Sequence, residues 1–580
     1  MRELLLGNEA IARGAYEAGV TVATAYPGTP STEIIEQITR YPEIYAEWAP
    51  NEKVALEVGI GASIGGARTL VAMKHVGVNV AADPLMTFAY TGVNGGLVLI
   101  SADDPGMHSS QNEQDNRLYA RFAKIPLLEP ADSQEAKDFV KLAYIISEQF
   151  DTPVMVRVTT RLAHSQSLVE LGEREKIKLK PYTKDAAKYV MLPGYARTRH
   201  VKVEERLLAL AAYAEQTPLN RIEWGDRSVG IITSGVVYQY AREVMPTASF
   251  LKLGMTNPLP KKLITEFVQG VDRVYVVEEL EPYLEEQIRS WGLKVTGKQV
   301  LPVVGEFNPE LIAEKLLGQP PVEVYQVEEN VPARPPVMCP GCPHRGVFYV
   351  LNKLKLKVTG DIGCYTLGAL PPLNAIDTCI CMGASIGTAL GMEKARGREF
   401  AQGVVAVIGD STFVHSGITP LIDVVYNRGT TTVIILDNGT TAMTGHQDHP
   451  GTGVTVDRQP THQLDLVKLV EAIGVQRITV VDPFDLTRME SVVKEELAAA
   501  EPSVIIARRR CALLDKPADL KLRIDPEKCT GCRLCLRLGC PGLELRDKKV
   551  RINETICVGC QLCTQICRLN AFEKVGGQNA

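Results

Sequence analysis

Val404–Gly445 reads VVAVIGDSTFVHSGITPLIDVVYNRGTTTVIILDNGTTAMTG. Val404–Ile408 is a short, uninterrupted apolar run, which predicts a strand buried on both faces. A tight turn at Gly409-Asp410-Ser411 follows, then a helix, then a second buried strand, Thr432–Leu436, which ends in Asp437-Asn438-Gly439-Thr440. Strands apolar on both faces belong to parallel sheets covered by helices. A βαβ unit of this kind carries Asp410 and Asn438 to the same carboxyl edge, where open α/β sheets bind their ligands. A carboxylate, an amide oxygen and a backbone carbonyl at that edge are hard oxygen donors suited to Mg2+ and a phosphate. An ordinary strand-end turn would also produce Gly-Asp-Ser, so both readings stand at this point.

Working outward, 580 residues at about 150 per domain predict roughly four domains. With 45% apolar and 23% charged residues the composition is that of a globular protein. A formal charge of −5 gives no pointer to nucleic acid or an anionic membrane. No apolar run reaches the ~18 residues of a spanning helix, and the apolar core of Met1–Glu9 is too short for a signal peptide. A cytoplasmic protein is expected. Of fourteen cysteines, eight fall between Cys529 and Cys567, and in a large α/β chain such clustering predicts metal or redox sites rather than disulfides.

Residues 1–160 alternate strand and helix patterns, as in a doubly wound parallel sheet: strands at Val20–Tyr26, Thr69–Lys74, Leu97–Ser101 and Pro153–Val158, with a small-residue helix opened by Asn51-Glu52. The polar loop Asp103–Asp115 contains His108, a candidate active-site residue. Residues 161–227 read as a charged linker with one helix near Val203–Gln216, and 228–316 as a second α/β unit without a catalytic cluster. Residues 317–336 form a Pro-rich linker, 337–514 a third unit containing the opening stretch, and 520–575 a cysteine-rich module. Within the third unit, Cys381-Met382-Gly383-Ala384-Ser385 supplies a glycine turn and a helix start that can cradle a diphosphate on backbone N–H groups.

The two cysteine runs are Cys529-x2-Cys532-x2-Cys535-x4-Cys540-Pro541 and Cys557-x2-Cys560-x2-Cys563-x3-Cys567. The second has bacterial ferredoxin spacing, with Arg568 where proline is usual, and the first has one extra residue before its last cysteine. Eight thiolates suffice for two [4Fe–4S] clusters; the alternative, two zinc sites, prefers separated C-x2-C pairs. Lys521–Lys574 holds eleven Lys/Arg against six Asp/Glu, and Lys548, Lys549 and Arg551 are candidates for a basic docking face.

The Gly-Asp-Ser…Asn pattern resembles the thiamine diphosphate signature, with Ser411 where the third position is usually glycine. That cofactor makes a 2-oxo acid strongly reducing on decarboxylation, and clusters accept its electrons singly. With both features, the chain resembles the 2-oxoacid:ferredoxin oxidoreductase superfamily and, within it, the large (alpha) subunits of indolepyruvate ferredoxin oxidoreductases, over essentially its whole length. The resemblance is carried by Tyr26-Pro27-Gly28-Thr29-Pro30-Ser31-Thr32, Cys339-Pro340-Gly341-Cys342, Gly409-Asp410-Ser411, Thr444-Gly445-His446-Gln447 and the cysteine tail with its x4 spacing.

The resemblance implies a multidomain α/β fold. Residues 1–160 would be a pyrimidine-binding and 337–514 a diphosphate-binding doubly wound domain, 228–316 a transketolase-C-terminal-like domain, and 520–575 a two-cluster ferredoxin-like module. It places Glu52 on the aminopyrimidine ring, with Glu57 the weaker candidate, and Thr29 in the substrate pocket; Gly28, where pyruvate-using relatives often carry isoleucine, would make room for an aryl group. Asp410, Asn438 and the Thr440 carbonyl would hold Mg2+, with Gly383, Ala384 and Ser411 near the diphosphate. One cluster would take Cys529, Cys532, Cys535 and Cys567, the other Cys557, Cys560, Cys563 and Cys540. Cys339, Cys342, Cys364 and Cys511 match a third cluster. The implied reaction is oxidative decarboxylation of aryl 2-oxo acids such as indolepyruvate to the aryl-acetyl-CoA. The implied partners are coenzyme A, ferredoxin and a small beta subunit in an alpha–beta or alpha2–beta2 assembly. The alternatives are a non-oxidative thiamine diphosphate decarboxylase and a non-catalytic iron–sulfur electron-transfer subunit.

Overall fold

A computed structural model describes residues 1–318, 334–515 and 521–575. Most of the Pro-rich stretch expected at 317–336 therefore lies outside the described residues. The chain divides into two compact units, one ending at Glu328 and one beginning at Glu329.

The first unit is built on a seven-stranded sheet in the order Met255–Asn257, Leu127–Leu128, Val154–Thr159, Leu97–Asp103, Thr69–Lys74, Val22–Ala25, Tyr45–Trp48. All pairings are parallel except that of Met255–Asn257, which joins the edge antiparallel. Thr69–Lys74 is buried at every position, as a central strand covered on both faces must be. The helix Glu52–Ile64 begins at Asn51, whose side chain accepts the Val54 N–H at 2.9 Å. Residues 226–277 supply most of a second sheet, ordered Val274–Val277, Asp226–Ser234, Ala248–Leu253, Asn220–Glu223.

The charged stretch 161–227 contains ordered elements. Gln166–Glu170 pairs antiparallel with Arg2–Leu6. The 22-residue helix Pro193–Ala214 sends Arg199 to the carbonyls of Tyr90 and Thr91 and Arg206 to that of Ala89. Its surface is charge-rich because only a narrow stripe of it is buried.

In the second unit a six-stranded, wholly parallel sheet runs Thr378–Cys379, Lys357–Gly360, Val404–Gly409, Thr432–Asp437, Ser503–Arg508, Arg477–Val481. The two strands of the opening stretch are neighbours in it, with Gly409 opposite Leu436, so Asp410 and Asn438 leave the sheet side by side. After Gly409 the chain makes a short helical turn, Asp410–Thr412, and a wider π turn, Phe413–Gly417, before the helix Ile418–Tyr426.

Residues 521–575 form two antiparallel ribbons, Lys521–Ile524 with Phe572–Val575 and Leu543–Arg546 with Lys549–Ile552. The two cysteine loops share one backbone pattern: Gly531 and Gly559 are left-handed, as are Arg533 and Gln561, and each loop leads into a single 3-10 turn. Leu538, Val550, Leu562 and Ile566 bury into the same core as Val347, Phe348, Val405 and Ile434, so this module and the six-stranded sheet share one interior. At about 1.5–3 kcal/mol per buried aliphatic side chain, that shared core is a substantial tether. No described helix is long and apolar enough to cross a membrane.

Candidate active site

In the first unit Glu52 opens its helix and is only 5% exposed. It presses on Gly77, where a Cβ would stand 2.7 Å from Glu52 Cγ and Oε1. Glu57 is exposed and paired with Lys53 across one helical turn. Thr29 sits in the turn after Val22–Ala25; its carbonyl accepts from Ser109 Oγ at 3.4 Å, and its peptide to Pro30 is cis. Lys74 is buried at the end of the neighbouring strand, its Nζ donating to the Ser109 carbonyl at 2.6 Å, and burial lowers its pKa to about 8. A Cβ at Gly28 would meet Lys74 Cβ at 3.1 Å, so a larger side chain there would crowd the lysine stem. Gly28 and Glu52 thus both lie against the junction between the strand ending at Lys74 and the helix His75–Val80.

The polar loop 103–115 is tied to residues further along the same unit. Arg117, 1% exposed, pairs with Asp115 at 2.6 Å and Glu278 at 2.7 Å. Glu113 accepts the N–H groups of Gly106 and Gly305. His108 Nε2 stands 3.1 Å from Glu306, which also pairs with Arg161, and the imidazole is half exposed at the surface.

In the second unit Asp410, Asn438 and Thr440 are all buried at the carboxyl edge. Asp410 Oδ1 accepts the Ser411 N–H at 2.9 Å and Oδ2 the Gly439 N–H at 2.8 Å, so the carboxylate bridges the two strand ends. Gly439 is left-handed (φ 69°), a conformation that glycine adopts without strain. Asn438 Oδ1 accepts from Thr440 N at 3.3 Å, and its Nδ2 faces His344 Nε2 at 3.5 Å. Burial keeps the His344 imidazole neutral, its pKa pushed down to about 4. His449 Nε2 stands 3.3 Å from Asp410 Oδ2. Burial and the Asp410 charge push the Asp437 carboxyl up, against Arg508 at 2.6 Å. The Asp410 carboxylate, the Asn438 amide oxygen and the Thr440 backbone at this edge are hard oxygen donors of the kind that fit Mg2+. A cavity of about 990 Å3, of mixed polar and apolar lining and including Asn438, Thr440, His449, Arg508 and Leu466, opens beside them.

The cradle expected at Gly383-Ala384 is largely occupied by the protein itself. Gly383 N–H and Ser385 N–H donate to the two oxygens of Asp361, at 2.9 and 3.2 Å, and Ala384 N–H to the Cys381 carbonyl at 3.1 Å. Burial raises Asp361 to about 6 in spite of those donors. Sequence reading passed over Asp361, although Gly360-Asp361 repeats Gly409-Asp410 at the end of the adjacent strand. Ser411 Oγ accepts from Thr441 Oγ1 at 2.8 Å.

The cysteines fall into three groups. Cys529, Cys532, Cys535 and Cys567 line one small apolar cavity walled by Ile524, Leu534, Val550 and Phe572. Ala571 N–H points at Cys567 Sγ, 3.4 Å away. Cys540, Cys557 and Cys560 all lie within electrostatic reach of buried Cys563. Cys339 lies within reach of Cys342, Cys364 and Cys511. Burial and neighbouring thiols push three of them up, Cys535 and Cys364 to about 11 and Cys342 to about 12. Among the described residues no three His, Cys, Asp or Glu side chains converge on a single ion. A cubane cluster does not require that, because each thiolate ligates its own iron.

The groups stand in a row. The Cys511 N–H donates to the Asn438 carbonyl at 3.0 Å. A Cβ on Gly341, between Cys339 and Cys342, would touch Val558 at 2.4 Å and Cys560 Cβ at 3.7 Å. Cys535 in turn lies within electrostatic reach of Cys563. Cys379 and Cys381 belong to none of the three groups; Cys381 is exposed.

Residues 13–212 match the family model described as pyruvate flavodoxin/ferredoxin oxidoreductase, thiamine diP-binding. Residues 361–507 match thiamine pyrophosphate enzyme, C-terminal TPP binding domain. The chain is 40% identical to the indolepyruvate oxidoreductase subunit IorA of Pyrococcus horikoshii, over 99% of this chain and 97% of that one. It is 42% identical to the protein of the same name from Archaeoglobus fulgidus, over 93% and 92%. The 2-oxoglutarate synthase subunit KorA of the latter organism is 26% identical over 52% of this chain and 96% of its own.

Proposed function

The chain belongs to the family of indolepyruvate oxidoreductase IorA subunits, and on that premise we propose that it catalyses oxidative decarboxylation of aryl 2-oxo acids, indolepyruvate among them. The products are the aryl-acetyl-CoA, CO2 and reduced ferredoxin. Thiamine diphosphate, when bound, supplies the carbanion chemistry that decarboxylation needs. The chain's own groups have separate tasks.

Glu52, buried and held against Gly77, would hydrogen-bond the aminopyrimidine ring of the cofactor and supply the carboxylate that its acid–base chemistry needs. Thr29 lines the substrate pocket. Asp410, Asn438 and the Thr440 carbonyl would hold Mg2+, and Ser411 would lie on the diphosphate side. With their N–H groups engaged, Gly383 and Ala384 shape the site through the helix start that Asp361 caps. His344, buried and neutral, packs beside Asn438.

The observation that carries the redox half is the row of cysteine groups leading away from Asn438. We assign Cys540, Cys557, Cys560, Cys563 and Cys529, Cys532, Cys535, Cys567 to two [4Fe–4S] clusters, and Cys339, Cys342, Cys364, Cys511 to a third between them and the cofactor. A small beta subunit completes the enzyme, and coenzyme A takes the acyl group.

The test is anaerobic reduction of a viologen dye by purified protein, alone and with its beta subunit, across 2-oxo acids. Dye reduction that requires thiamine diphosphate and coenzyme A and is fastest with aryl substrates is expected. Aldehyde release without dye reduction would instead establish the non-oxidative reading.

A further inference from the structure

Arg345 has no task in the chemistry above, yet its surroundings are unusual for a cation. It lies three residues after Cys342, in the first turn of the helix His344–Lys353, and is 2% exposed. A buried guanidinium normally pairs with a carboxylate. Among the described residues no carboxylate stands within ion-pair distance of Arg345, whereas Arg117 and Arg157 in the first unit each have at least two. Its donors go to four backbone carbonyls. Nε donates to Cys339 O at 3.1 Å and Nη2 to Met338 O, while Nη1 donates to Leu538 O at 2.9 Å and Gly539 O at 2.6 Å.

These carbonyls belong to two different cysteine loops, one leading to Cys339 and Cys342 and the other to Cys540. Gly539 is left-handed, and a Cβ on it would meet Pro372 at 2.8 Å and Arg345 Nη1 at 3.3 Å, so the second loop closes directly over the guanidinium. The thiols of Cys540, Cys342, Cys339 and Cys560 lie within its electrostatic reach. A planar fork with five donors can satisfy four carbonyls at once, which a lysine cannot.

Resting on the cluster assignment above, we infer that Arg345 is a positioning residue for electron transfer: it clips the Cys339–Cys342 loop to the Cys540 loop and is the buried countercharge for the clusters on either side. When a cluster accepts one electron its negative charge grows by one, and the guanidinium keeps its proton throughout. A fixed cation beside the cluster in a low-dielectric interior therefore favours the reduced form and raises the reduction potential.

The experiment compares wild type, Arg345→Met and Arg345→Lys as full chains with the beta subunit, purified anaerobically. Iron and sulfide are counted, and the clusters are titrated by EPR at set dye poise. With iron unchanged, Arg345→Met is expected to shift the reduced-to-oxidised ratio of one cluster at least tenfold toward oxidised, about 59 mV for a one-electron couple. Arg345→Lys, which keeps the charge, is expected to restore most of that ratio while losing part of the electron-transfer rate. Full iron with unchanged potentials in Arg345→Met overturns the inference and leaves the cluster assignment intact. An iron-free wild type overturns the cluster assignment and the inference with it. Should Arg345→Met shed iron, Arg345→Gln against Arg345→Lys decides, and equal potentials in those two overturn the countercharge role.

Discussion

Gly77→Ala is the most incisive perturbation of the proposed proton-handling site. Gly77 lies inside the helix His75–Val80 with ordinary helical backbone, so alanine there gains about 1 kcal/mol of helix propensity. The new methyl would stand 2.7 Å from both Glu52 Cγ and Oε1 and 3.0 Å from Cδ. Since ordinary contact begins near 3.4 Å, the Glu52 side chain must give by roughly 0.7 Å, and because Cγ is hit as well as the carboxylate, rotation of the tip alone does not relieve it. A catalytic group misplaced on the order of 1 Å costs about 10²-fold, close to 2.7 kcal/mol of barrier. We therefore expect kcat for dye reduction to fall about 10²-fold, as should the rate of C2 proton exchange in bound thiamine diphosphate, with folding unimpaired. Gly61→Ala is the control, because Gly61 lies on the Glu52 helix with nothing within 4 Å of its Cβ position. Wild-type exchange and turnover in Gly77→Ala would refute the placement of Glu52 as the positioned carboxylate.

Asp410→Ala should abolish Mg2+-dependent binding of thiamine diphosphate, measured by calorimetry, because the carboxylate both joins the two strand ends and provides the charged donor; full retention of the cofactor would sink the site. Iron analysis of wild type should give about twelve irons per chain and of Cys342→Ser about eight; eight in both would remove the third cluster. Gly28→Ile must push the Lys74 stem from 3.1 Å contact, so it should slow turnover of every 2-oxo acid rather than shift preference from aryl substrates to pyruvate, a difference visible in kcat/KM ratios. Lys74→Met should stabilise the first unit. With the folded pKa lowered from 10.5 to about 8, the protonated amine is penalised by about 3 kcal/mol at pH 7, offset by about 1 kcal/mol for its lost hydrogen bond to Ser109. Both states of wild type are protonated below pH 8, so this gain is full there, shrinks as pH rises from 8 to 10.5 and vanishes above. Hydrogen exchange of Thr69–Lys74 across that range measures it, and a variant less stable at pH 7 would contradict the argument.

What the linear chain determined was whatever depends on local periodicity and spacing. Val404–Gly409 and Thr432–Asp437 were legible as strands because both faces of a central parallel strand are apolar, and their side-by-side exit follows from βαβ geometry. The cysteine spacing marked the tail as a cysteine-rich module because a C-x2-C-x2-C loop keeps its three thiols close together by itself. Tertiary structure decided the rest, because groups far apart in sequence compete for the same space and the same hydrogen bonds. Asp361 takes the N–H groups of Gly383 and Ser385, 22 and 24 residues on, so a helix start that looks open for a phosphate is already capped. The Lys74 stem lies against Gly28, 46 residues earlier, where any Cβ would meet it at 3.1 Å. Gly77, whose partner lies 25 residues earlier, sets the position of Glu52. Arg345 sits among cysteines nearly two hundred positions away, and no pattern in one dimension records that its charge has no carboxylate to meet.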